Sequence, residues 1–124
     1  LSDDMIRALA KTGGVMGMNR ADGFIHPDKE KQTVEGLADH VDYIRDLVGI
    51  DHIGCGFDFE DYVDQAALSK NGIADEDPAG TKGIESAAQA HNFLDVLERR
   101  GYTQEELEKV AYKNFYRVFK QVLR

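Results

Sequence analysis

The sequence predicts an α/β chain in which short parallel strands alternate with amphipathic helices. Three observations lead there. Val34, Leu37, Val41, Ile44 and Val48 recur every three or four residues and give a helix one apolar face. Gly49 stops that helix, and the run Asp51-His52-Ile53-Gly54-Cys55-Gly56-Phe57-Asp58-Phe59 then reads as a short buried strand with a carboxylate at its C-terminal end. An earlier helix and strand repeat the same order, and such alternation indicates βαβ units with parallel strands.

Taken in order, Ser2-Asp3-Asp4 supplies an N-cap and an acidic first turn for a helix over residues 3–11, and Gly13-Gly14 supplies its C-terminal stop. Residues 15–18 form the first strand, closed by Asn19. Residues 20–32 read as a polar connection around Gly23 and Pro27. The second helix is expected over residues 33–48 and the second strand over 52–57. Residues 60–83 break the pattern: Asn71-Gly72, Asp75-Glu76-Asp77-Pro78 and Gly80 predict a long irregular loop with one short turn at 62–68. A third helix is expected over 85–100, ending at Gly101. Thr103-Gln104-Glu105-Glu106 is a capping box for the last helix, whose buried side is expected to carry Leu107, Val110, Phe115, Val118, Phe119 and Val122.

With 124 residues and 42% apolar content, the chain has the length of one domain and enough apolar side chains for a core. A net charge of −8 argues against nucleic acid or an anionic membrane surface as partner. No apolar run approaches the roughly 20 residues of a membrane span, and no signal peptide is recognisable. A soluble, cytoplasmic setting is the expectation. Two strands alone cannot form a parallel sheet covered on both faces. Together with a start at Leu1 in the first turn of a helix, this leads us to expect a chain cut from something longer, completed by the remainder of a barrel or by another copy of itself.

Chemistry is expected at the C-terminal mouth of parallel strands, which makes Asp58 the first candidate. A strand-end Asp equally well caps a helix or anchors a loop. No complete metal site is visible. His26-Pro27-Asp28 spells His-x-Asp but lies in a polar loop, His40 and His91 lack a second ligand three or four residues away, and His52 begins the strand that Asp58 ends. The acidic group Asp58, Glu60, Asp61 and Asp64 lacks the Gly and closing Glu of a calcium loop. Gly54-Cys55-Gly56 lies within a strand rather than between strand and helix, so it is no phosphate loop. Cys55 reads as a buried, inert thiol.

Four ordered blocks carry a resemblance. They are Leu1-Ser2-Asp3-Asp4 through Gly13-Gly14-Val15-Met16-Gly17-Met18-Asn19; Leu37-Ala38-Asp39-His40-Val41-Asp42-Tyr43-Ile44 with Val48-Gly49-Ile50-Asp51-His52-Ile53-Gly54; Gly56-Phe57-Asp58-Phe59; and Leu97-Glu98-Arg99-Arg100-Gly101-Tyr102-Thr103 with Asn114-Phe115-Tyr116-Arg117-Val118. In these the chain resembles the C-terminal third of the membrane (renal-type) dipeptidases, the M19 zinc peptidases. The resemblance implies an α/β fold, the C-terminal part of a (β/α)8 metal-dependent-hydrolase barrel comprising strands seven and eight with their flanking helices over residues 1–124. It implies hydrolysis of dipeptide amide bonds at a centre of two zinc ions. It also implies that the zinc ligands and the substrate-gripping Arg all precede Leu1, so that no residue here is a metal ligand. Asp58 matches the Asp ending the eighth strand, which makes it both the catalytic and the substrate-binding candidate, accepting or relaying a proton beside the substrate's amino end.

The chain departs from the family in three places. Asp58-Phe59-Glu60-Asp61 stands for Asp-Phe-Asp-Gly, Arg20 stands where an aromatic often follows Asn19, and residues 62–83 differ most, so β-lactams and other amides join dipeptides as candidate substrates. The leading expectation is the C-terminal portion of a zinc-dependent dipeptidase, inactive by itself. The alternative is a truncated non-catalytic domain that packs on a partner or self-associates.

Overall fold

Residues 1–59 and 80–123 are described by a computed structural model. Helix α1 (Asp3–Lys11) starts at Ser2, whose Oγ accepts the Met5 N–H at 3.4 Å, with acids in its first turn and Lys11 in its last. The Gly13 and Gly14 N–H groups return to the carbonyls of Ala10 and Leu9, which ends the helix. Strand β1 (Met16–Met18) follows. Residues 20–32, expected as a plain connection, hold the short helix α2 (Asp22–Ile25) and a 3₁₀ turn at Lys29–Lys31. Ile25 buries itself against the core, and the Asp28 carboxylate caps the Glu30 N–H, so two local interactions order a polar segment.

Helix α3 (Val34–Val48) is capped by Thr33 and ended by Gly49 at φ 93°. Leu37, Ala38, Val41 and Ile44 are buried along one side of it. The chain tightens into a 3₁₀ turn at Ile50–His52 and enters β2 (Ile53–Cys55). The strands are parallel neighbours, with Met16 opposite Ile53, Gly17 opposite Gly54 and Met18 opposite Cys55. Helix α3 is their crossover, so the βαβ unit is present. Both strands are shorter than the spans 15–18 and 52–57, but the Gly56 N–H still donates to the Met18 carbonyl and the Arg20 N–H to that of Phe57, both at 3.3 Å.

The predicted loop over 60–83, its turn at 62–68 and the acids Glu60, Asp61 and Asp64 fall outside the described residues as far as position 79. Where description resumes, Lys82 makes an isolated parallel bridge with Thr33. The third helix begins later than residue 85. A 3₁₀ turn at Ala87–Gln89 precedes α4 (His91–Arg99), because Gln89 Oε1 accepts the Ser86 N–H and tightens the first turn. Phe93, Val96 and Leu97 of α4 pack into the core with α3.

The last helix is not continuous. Helix α5 (Gln104–Glu108) passes through a π turn at Lys109–Lys113 into α6 (Asn114–Val122). The wider turn changes the phase, so the buried series is Leu107, Val110 and Asn114. Phe119 and Val122, expected inside, are 54% and 65% exposed. Phe115 is half-buried and lies on β2, where a Cβ on Gly54 would meet its ring at 2.4 Å. That close approach explains glycine at this strand position.

Candidate functional site

The two ends of the parallel pair differ in kind. At the N-terminal end, Arg117 donates to the Gly13 and Asp51 carbonyls, each at 2.8 Å, and His52 Nδ1 lies 2.9 Å from the Gly14 carbonyl. Asn114 donates to the Ile50 and Ile53 carbonyls, each at 2.8 Å. These side chains satisfy backbone groups and leave that end closed.

The C-terminal end carries the candidate residue Asp58. Asp58 lies three residues beyond β2 and is exposed. Its φ of 60° makes it the non-glycine residue with a left-handed backbone among those described, a conformation that Asp tolerates better than most side chains. Asn19, just past β1, donates through Nδ2 to Asp58 Oδ2 at 3.3 Å, and its Oδ1 accepts the Ala21 N–H at 2.7 Å. Phe57 packs edge-on against Phe93, 5.3 Å between centroids, and against Phe59 at 5.5 Å.

Arg20 is buried beside this pair, its guanidinium carbon 4.9 Å from the Phe59 ring centroid. A cation over an aromatic face fills the place where an aromatic was expected from the family resemblance. Thr81 Oγ1 donates to the Arg20 carbonyl at 2.5 Å, and a Cβ on Gly80 (φ 61°) would stand 2.1 Å from Arg20 Nη1. Residues 80–81 therefore cross directly over Arg20. Glu85 completes the rim: the Gly83 N–H, donating at 3.0 Å, holds its carboxyl below the usual range, with smaller help from Gln89 and the nearby Arg20 charge.

Other expected groups stay apart from this end. His26 Nδ1 accepts the Asp28 N–H at 2.9 Å, and His40 Nε2 lies 2.9 Å from the Ile25 carbonyl. Both line a cavity of about 470 Å³ beside α2 that does not include Asp58. His91 Nδ1 lies 3.1 Å from the Ala88 carbonyl of its own helix. Among the described residues no three His, Cys, Asp or Glu side chains are grouped to hold a metal ion. Burial pushes the Cys55 thiol up to about 11, which keeps it protonated and unreactive. Among the described residues no helix is long and apolar enough to cross a membrane.

A parallel βαβ frame with a carboxylate at its C-terminal mouth belongs to the α/β class in which ligands bind at the C-terminal ends of strands. Within that class the chain belongs to the membrane dipeptidase family, peptidase family M19, whose model matches residues 1–124. It is 31% identical over 121 residues to an uncharacterized dipeptidase of Schizosaccharomyces pombe, covering 96% of this chain and 26% of that protein. It is 29% identical over 125 residues to an uncharacterized protein in the pqqA 5′ region of Klebsiella pneumoniae, covering 98% and 40%. Dipeptidase 3 of Rattus norvegicus is 30% identical over 120 residues, covering 97% and 21%. The chain thus spans at most two fifths of the length of these curated relatives. Two solved structures share the fold. An amidohydrolase from Pseudomonas aeruginosa superposes with a TM-score of 0.78 at 25% identity, over 97% of this chain and 39% of that one. A dipeptidase described as a metallopeptidase of family M19 gives 0.73 at 21% identity, over 97% and 32%.

Asp58 is legible in the sequence as a site candidate, whereas its neighbours Asn19 and Arg20 are not. Asn19 served only as the end of a strand and Arg20 as a departure from the family. A polar residue immediately after each of two parallel strands was the available signal, since such residues share one mouth.

Proposed function

We propose that this chain is the C-terminal portion of a zinc-dependent dipeptidase. In this reading β1 and β2 are the seventh and eighth strands of a (β/α)8 barrel, and Asp58 is the chain's catalytic and substrate-binding residue. The observation that carries the reading is the placement of Asp58: an exposed carboxylate just past the C-terminal end of a parallel strand, with a left-handed backbone and an amide from the neighbouring strand on one oxygen. Family membership over residues 1–124 supports it.

The Asp58 carboxylate can accept a proton from attacking water, then return it to the departing amine. The same negative charge attracts the ammonium group at a dipeptide's amino end. In this reading zinc is held by other parts of the polypeptide and would supply polarisation of the scissile carbonyl.

The test is made on the full-length protein. Stoichiometric zinc and hydrolysis of simple dipeptides are expected, and neither is expected of the 124-residue chain alone. A full-length protein without metal and without turnover on any dipeptide would overturn the reading in favour of a non-catalytic packing domain. The exposed apolar residues of α6 are the feature that suits this second reading.

A further inference from the structure

We propose that Asn19 is the positioning residue for Asp58, holding its carboxylate in the orientation used for proton transfer; this rests on the dipeptidase reading above. Asn19 and Asp58 are 39 positions apart in sequence and meet only because β1 and β2 are neighbours. The ladder continues past both strands through the Gly56-to-Met18 and Arg20-to-Phe57 hydrogen bonds. Asn19 and Asp58 therefore emerge side by side from adjoining, hydrogen-bonded backbone.

Each half of the Asn19 amide has its own task. Oδ1 accepts the Ala21 N–H at 2.7 Å, which fixes which way the amide faces. Flipping it would set an NH₂ group against an N–H and a carbonyl against a carboxylate, two repulsions in place of two bonds. Nδ2 is thereby aimed at Asp58 Oδ2, 3.3 Å away. An amide suits this role because it is neutral. A lysine or arginine there would pair a formal charge with the carboxylate, whereas a neutral amide donates a hydrogen bond that orients it. The backbone of Asp58, at φ 60°, sets where its side chain leaves the chain, and the Asn19 amide then restricts how the carboxylate turns.

The two tasks can be separated by Asn19→Asp in full-length protein. A carboxylate at position 19 still accepts the Ala21 N–H, so the turn is kept, but the donor to Asp58 is replaced by a like charge. The expected result is a kcat about tenfold to a hundredfold lower, with zinc content near wild type and the melting temperature lowered by roughly 2 °C. Combined with Asp58→Asn, the same substitution should cost no further turnover, and the melting loss should be recovered, because the amide and carboxylate have exchanged places. Wild-type kcat in Asn19→Asp would overturn the proposal, as would an equal melting loss with and without Asp58. If the wild-type protein hydrolyses no dipeptide, the dipeptidase reading fails, and the melting cycle decides alone: recovery in the double variant upholds Asn19 as the group that orients Asp58, and no recovery overturns it.

Discussion

Asp58 is constrained twice, by a left-handed backbone and by a hydrogen bond from another strand. Asparagine is the replacement that disturbs these constraints least, since it also tolerates the left-handed region and its carbonyl can accept from Asn19. Asp58→Asn in the full-length protein should therefore leave folding and zinc content nearly unchanged while turnover falls by roughly a hundredfold, the scale for loss of a general acid or base. Steady-state kinetics beside metal analysis checks this. Wild-type turnover per folded molecule, with earlier melting, would make Asp58 a loop anchor. Arg20 makes a contrasting case: it opens a segment expected to be a polar connection, yet it is buried and stacks on Phe59 under Gly80.

Elements in this chain are ended and joined mainly by side chains that reach backbone groups. Asn114, 3% exposed at the start of α6, serves two carbonyls at the entry to β2. Asn114→Leu keeps the branched shape but removes the amide donor, leaving the buried Ile53 carbonyl and the part-buried Ile50 carbonyl without this partner. A loss of about 2–3 kcal/mol is expected, read as a lower urea midpoint with an unchanged m-value. The capping box of α5 adds a pH-dependent contribution. The Thr103 N–H at 2.9 Å is the chief cause that holds the Glu106 carboxyl below its usual range, followed by the Thr103 hydroxyl and by Arg45 of α3 at 2.6 Å. A carboxyl with a depressed folded pKa stabilises the protein fully above its unfolded value, about 4.3, and that stability is lost as pH falls through the lower folded value. Glu106→Gln should thus flatten the dependence of melting temperature on pH below about pH 5, with the difference from wild type vanishing in strong acid. A constant offset at every pH would assign the effect to packing alone.

On the scale of the whole molecule, the apolar surface left uncovered is the leading feature. Tyr112, Tyr116, Phe119 and Val122 follow one another along the π turn and α6 and are each more than half exposed, and Phe24 of α2 is 75% exposed. The solved relatives are about two and a half to three times as long as the part this chain covers. Expressed alone, the 124-residue chain should bind an apolar dye and run on size exclusion as associated species whose size rises with concentration. A monodisperse monomer at high concentration that binds no dye would contradict this.

Local chemistry alone determined much of this protein. Ser2, Thr33 and Thr103 mark helix starts, Gly13, Gly49 and Gly101 mark ends, and the spacing of Leu37, Val41 and Ile44 marks a buried face, because each depends on residues within a turn or two of chain. The parallel pairing and the candidacy of Asp58 were legible for the same reason, as a strand followed by a carboxylate. Periodicity could not reveal the π turn that replaces an apolar inward residue by Asn114, since a single wide turn alters the phase without altering composition. Nor could it reveal that Asn19 faces Asp58 or that Arg20 lies beneath Gly80. Those contacts join residues 39 and 60 positions apart, and only the approach of β1 to β2 and the return of the chain at Gly80 bring them within reach. Tertiary structure decided them because a hydrogen bond or a close steric contact acts over about 3 Å, a distance no one-dimensional spacing encodes.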